Sequence, residues 1–190
     1  MAENFNAAEK KFILETKIAL RSKNDKQIIA KLRELKEIGN VNIFPFILEL
    51  LESSNSADII EEVLGIIRDL RDQRCVPVIV EYIEKNKTGV HLGGVISSCW
   101  QSRLDFHAYL NSFATPFIYG DYQTALEAFT VIEEMLWKSS DSQIMACRNI
   151  LVENSHVITA EKKPLYHELI KVLDEGKSNN ADNYPDLYEN

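Results

Sequence analysis

The sequence predicts an all-α fold, a short solenoid of about four helical hairpins, and three observations carry that expectation. One pattern occurs twice. IIAKLRELKEIGNVNIFPFILELLES (28–53) is followed 32 residues later by IEEVLGIIRDLRDQRCVPVIVEYIEK (60–85), so that Ile28 falls on Ile60, Leu32 on Leu64, Leu35 on Ile67, Ile38 on Leu70 and Pro45 on Pro77. Such a repeat, two amphipathic helices with a proline early in one of them, marks units that bury their apolar faces only by stacking on one another. Apolar residues also recur at helical spacing beyond the repeat, and no alternating run is long enough for a strand.

The elements follow in order. Residues 5–21 carry Phe5, Phe12, Ile13 and Leu20 at helical spacing and suit a capping helix. Asn24 and Asp25 offer an N-cap for a helix that stops at Gly39 and Asn40. A helix over 42–52 holds Pro45 in its first turn, where a missing N–H costs least. Ser53, Ser54, Asn55 and Ser56 form a turn before a helix over 57–71, and 74–85 repeats the proline-bearing helix. A third unit keeps the register, with Val95, Ile96 and Cys99 lying 32 after Val63, Leu64 and Ile67, and a partner helix over 106–115. Pro116 then predicts a loop containing Phe117, Ile118 and Tyr119. A fourth helix over 122–137, capped by Asp121, places Ala125, Phe129, Ile132 and Leu136 inward, and helices over 141–154 and 160–175 complete a domain of residues 1–176. Residues 177–190 are polar and acidic and predict a disordered tail.

Composition narrows the function. The 190 residues are 45% hydrophobic and 26% charged, as in ordinary globular proteins. Net charge is −8, made of +3 over residues 1–40 (nine Lys/Arg, six Asp/Glu) and −11 over the rest (12 against 23). Phosphate backbones select basic surfaces, so this balance argues against nucleic acid as the partner. Cys75, Cys99 and Cys147 are an odd number in apolar settings, which predicts free thiols. With no signal-peptide pattern and no apolar run long enough to span a bilayer, the expected location is the cytoplasm, without a membrane.

LRELKEIGN (32–40) and VLGIIRDLRD (63–72) resemble the second helix of HEAT repeats, of the armadillo-like α-solenoid family. FPFILELL and VPVIVEYI resemble the first helix of the following repeat, with Pro45 and Pro77 at its usual proline. The resemblance covers about 26–137. It departs at Ile28 and Ile60, where HEAT repeats often carry an arginine, and in the third unit, which lacks the proline. The resemblance implies a right-handed α-α superhelix that binds proteins or peptides on its inner face.

Enzyme signatures are missing from the sequence. It holds no His-Glu-x-x-His, no Cys-x-x-Cys and no glycine-rich phosphate loop, and its histidines lack metal-ligand spacing, so no catalytic residue, cofactor or metal is expected. Columns across the repeats give a sharper signal. The positions beside the core residues Leu35, Ile67 and Cys99 hold Lys36, Arg68 and Trp100; one turn away stand Arg33, Arg71 and Arg103. In a stack these six residues form a basic strip with one aromatic along the exposed ridge of the second helices. Trp and Arg dominate binding hot spots. The expected function is therefore a non-catalytic scaffold or adaptor taking an acidic peptide or protein. Burial of Trp100, or pairing of the arginines with Glu37, Asp69, Asp72 and Asp105, would remove the strip. Two alternatives stand beside it: a HEAT-like nucleic-acid-processing enzyme such as a DNA glycosylase, and a self-assembling protein using the aromatic stretch 106–120.

Overall fold

The helices start where the sequence offers a cap. In the computed structural model, which describes residues 6–182 apart from Gly39 and excludes the side chains of 37, 38 and 177–182, Asn6 and Glu9 form a capping box for α1 (Ala7–Leu20). Phe5 lies outside the described residues. The Asn24 side chain accepts from the backbone of Lys26 at 3.0 Å and opens α2 (Asp25–Ile38). Asn40 and Asp72, 32 positions apart, each accept the backbone N–H two residues on, from Asn42 at 2.9 Å and Arg74 at 3.0 Å. Each then leads through a short 3₁₀ turn into a helix with proline in its first turn: α3 (Phe44–Leu48) with Pro45, and α6 (Val76–Lys85) with Pro77. α3 continues through Glu49, which keeps helical dihedrals, into α4 (Leu50–Ser53). Sequence repeat and local structure thus coincide at these two turns.

The remaining elements are α5 (Ala57–Asp69), α7 (Leu92–Gln101), a 3₁₀ segment His107–Phe113, α8 (Ala114–Tyr119), α9 (Tyr122–Met135), a 3₁₀ turn Leu136–Lys138, α10 (Asp141–Glu153) and α11 (Lys163–Asp182). The described residues contain helices and turns and no strand. α2, α5, α7, α9 and α11 are successive neighbours; α3, α6, the 107–113 segment with α8, and α10 form a second row behind them. Between the rows lies one apolar core. The register residues Leu35, Ile67, Cys99 and Ile132 are all buried in it, as are Ala125 and Leu136, with Phe129 packed against it.

α7 sits tightly between its neighbours because it begins with two glycines. A Cβ on Gly93 would come 3.0 Å from Thr124 Oγ1 of α9, and one on Gly94 2.9 Å from Leu64 Cδ1 of α5.

Two expectations are corrected. The 106–115 helix is a 3₁₀ segment running straight into α8, and Phe117, Ile118 and Tyr119 are helical rather than loop. Pro116 is the third residue of α8, where its missing N–H needs no partner, so it starts the helix instead of ending one. Phe106, Phe113, Phe117 and Ile118 are core, Phe106 meeting Phe113 edge to face at 5.8 Å. The end of α8 is closed by Lys162, 3% exposed, whose ammonium donates to the carbonyls of Phe117 (3.1 Å), Ile118 (2.6 Å) and Gly120 (2.8 Å). Desolvation lowers its pKa, with Asp121 and Glu161 opposing. α11 runs on to Asp182, past the 176 boundary read from composition; residues 183–190 of the expected tail lie outside the described residues.

Candidate functional site at the ends of α7 and α9

The six residues expected to form a strip lie at the surface but differ in their partners. Arg33, Lys36, Arg71, Trp100 and Arg103 are exposed and Arg68 is partly so, all on or just past α2, α5 and α7. The α2–α5 part is neutralised. Arg33 Nε donates to Glu62 Oε1 at 2.7 Å across the helix pair, Lys36 meets Asp69 at 2.5 Å, and Arg68 pairs with Glu61. The Lys36 hydrogen bond holds the Asp69 carboxyl below its usual range against slight burial. Arg71 turns back to cap α5, donating to Leu70 O at 2.7 Å.

The α7–α9 part differs. Trp100 is 44% exposed and its indole N–H donates to Glu127 of α9 at 2.9 Å, which fixes the ring on the surface. Beside it, Arg103 has no hydrogen bond or ion pair among the described residues. Trp137, on the 3₁₀ turn after α9, is 72% exposed, with Lys138 over its ring at 4.7 Å. These side chains border a cleft of about 230 Å³ floored by Cys99, Val131 and Met135. That is below the ~300–1,000 Å³ of ordinary small-molecule sites and fits one or two side chains of a partner. The chain has two tryptophans, and both are here.

Asp105 braces one wall. It accepts from Lys138 Nζ at 2.9 Å and bonds His107 Nδ1 at 2.6 Å, while its own N–H donates to Gln73 of the preceding unit at 3.1 Å. Partial burial alone would raise its pKa; the bonds from Lys138 and His107 win and hold the carboxyl at about 2. A carboxylate-held imidazole is general-base geometry, yet no hydroxyl or thiol bonds His107 among the described residues. The serines five residues to either side are engaged elsewhere: Ser102 Oγ donates to Cys99 O at 2.7 Å and Ser112 Oγ to Glu84 Oε1 at 2.7 Å. Burial pushes the Cys99 thiol far above its normal range. Glu134 on the opposite wall is exposed and lacks a described partner.

A wider groove of about 820 Å³ lies between the α1–α2 and α4–α5 turns, but its cations and ring are engaged: Arg21 pairs with Glu49 at 3.7 Å and Lys17 covers Phe46 at 4.5 Å. Among the described residues no group of three or more His, Cys, Asp or Glu could hold a metal, and no helix is long and apolar enough to cross a membrane.

The structure therefore keeps Trp100 and Arg103 together and exposed, leaves Arg33, Lys36 and Arg68 compensated, and adds Trp137 and Lys138. Column reading overlooked Trp137 because it was counted with the helix 122–137 rather than with Arg103. Of the four carboxylates expected to oppose the strip, Asp69 does so; Asp72 binds Arg74, Asp105 binds Lys138, and the Glu37 side chain lies outside the described residues. Comparison of the chain with protein-family models, with curated proteins and with solved structures gives no match, so the site is interpreted on its own geometry.

Proposed function

We propose that the chain is a HEAT-like α-solenoid adaptor, non-catalytic and cytoplasmic, which takes an acidic peptide or protein segment in the cleft between α7 and α9. The solenoid reading is supported by the matched turns at Asn40 and Asp72, the matched prolines, and the side-by-side row of α2, α5, α7 and α9. Buried free thiols at all three cysteines fit a reducing compartment.

The observation that carries the binding reading is Arg103, an exposed residue without a described partner that lines one cleft with two exposed tryptophans. A guanidinium in that setting takes a carboxylate in bidentate fashion, and the indoles take a flat apolar or aromatic side chain beside it. Glu134 asks for a donor, such as a tyrosine hydroxyl or an amide. The nucleic-acid alternative finds less support, since Arg33, Lys36 and Arg68 are paired with acids and unavailable to phosphates. Self-assembly through 106–120 finds less support too, since Phe106, Phe113 and Phe117 are buried and Tyr119 is left exposed.

Selection of a random peptide library on the full chain tests the reading. Enrichment of peptides pairing Asp or Glu with an aromatic, lost on Trp137→Ala or Arg103→Glu, is expected. Enrichment insensitive to both substitutions would overturn it.

A further inference from the structure

The chain itself supplies a segment of the required chemistry close to the cleft. α11 packs against the 136–138 turn, and a Cβ on Gly176 would lie 3.4 Å from Leu136 Cδ1, one residue before Trp137. α11 therefore runs the same way as α9 and delivers the following residues to the end of the molecule where Trp100, Arg103 and Trp137 are exposed. From Gly176 to Asp182 the helix advances about 9 Å. The next eight residues, extended, reach up to ~27 Å, ample to return that distance and cross the helix spacing of about 10 Å.

Those eight residues, 183–190, read NYPDLYEN. They hold two carboxylates (Asp186, Glu189) and no lysine, arginine or histidine. Tyr184, Leu187 and Tyr188 supply flat or apolar groups, Asn183 and Asn190 supply amide donors, and Pro185 limits the entropy lost on docking. Each demand of the cleft has a counterpart: a carboxylate for Arg103, a ring for the indoles, a hydroxyl or amide for Glu134.

We propose that residues 183–190 occupy the Trp100–Arg103–Trp137 cleft of their own chain and compete there with the external partner. The inference rests on the reading of the cleft given above. It makes the segment a tethered competitor: at a local concentration of order millimolar, even a weak contact keeps the cleft mostly covered, and a partner must displace it.

Because both tryptophans lie at the cleft, their fluorescence reports on its occupancy. Acrylamide quenching is measured on the full chain and on a full-chain variant carrying Tyr184→Ser, Asp186→Lys, Leu187→Ser and Tyr188→Ser, all outside the described residues. The variant should quench about twofold more steeply, as rings that the segment covers become accessible to the quencher, and a synthetic peptide of residues 183–190 should restore protection saturably. Arg103→Glu should abolish that restoration. Equal quenching of the two chains, with no saturable peptide effect, would overturn the proposal. Protection that appears only as protein concentration rises, with a matching mass increase in light scattering, would overturn it as well, because the segment would then be binding a second copy. If the segment fails to protect while library peptides still bind through Trp137 and Arg103, this inference falls and the adaptor reading stands.

Discussion

Two clefts open at the same end of the helix row, one between α2 and α5 and one between α7 and α9, and they differ in what fills the same register. The first, of about 240 Å³, is bordered by Lys36, Asp69 and Arg71 and floored by Leu35, Ile66 and Cys75. The second has Trp100 where the first, 64 positions earlier, has Lys36, and its Arg103 stands where the first has Gly39; Arg71, in the same column one unit before Arg103, borders the first cleft from its other helix. In the first cleft Lys36 meets Asp69 and Arg71 caps α5, so each cation is spent within the fold. In the second, Asp105 engages Lys138 and leaves Arg103 free of described partners. The two hollows thus differ in their chemistry: the cations of the first are engaged within the fold, and Arg103 of the second has no described partner.

The largest expected effect breaks the comparison directly. Arg103→Glu or Trp137→Ala should weaken the selected peptide roughly thirtyfold or more, the scale of a hot spot. Arg71→Glu, the same change one unit earlier, should leave affinity within about twofold. Titration by tryptophan fluorescence measures both, with Trp100 as the remaining reporter in Trp137→Ala.

Next comes the brace. Asp105→Ala should cost about 1–2 kcal/mol in a denaturant melt, since Lys138, His107 and the His107 backbone N–H share that carboxylate. The Asp105 pKa is depressed in the folded state, so its stabilisation is complete above the unfolded value of ~3.9 and is lost as pH falls toward the folded value of about 2. Asp105→Ala should therefore flatten the acid limb of the stability curve over that window, and an unchanged limb would show that the brace is not formed.

A smaller effect compares the cleft floors. Burial raises the Cys75 thiol to about 11 and Cys99 further, so neither should react with a thiol reagent at neutral pH until denaturant is added. Rapid labelling of Cys99 alone would mean that the second cleft opens to its floor. The smallest effect belongs to the exposed Lys36–Asp69 pair: Lys36→Met should shift stability by no more than ~0.5 kcal/mol.

Much of this was legible in the sequence, and the failures have physical reasons. The 32-residue offset placed Pro45 on Pro77, because proline in a first helical turn is a local device, whereas the matching turn bonds of Asn40 and Asp72 came from the structure. Trp100 and Arg103 emerged from the columns since aligned helices expose like positions. Glu62 and Glu127 did not, because a long side chain pairs diagonally with a neighbouring helix, and that neighbour's offset is a tertiary fact. Phe117 to Tyr119 were misplaced because proline both ends helices and begins them; which one depends on whether the preceding turn is already helical. Lys162, a buried lysine closing α8 from 42–45 residues away, had no sequence signal at all.

The central claim is that Arg103 and the two indoles form one recognition surface for an acidic segment, and charge exchange tests it most directly. The selected peptide and its copy with Lys in place of each acid are titrated against the native chain and against Arg103→Glu. Tight binding is predicted for the two matched pairs and weak binding for the two mismatched ones. Equal affinities across all four, or no recovery of the Lys peptide by Arg103→Glu, would contradict the claim.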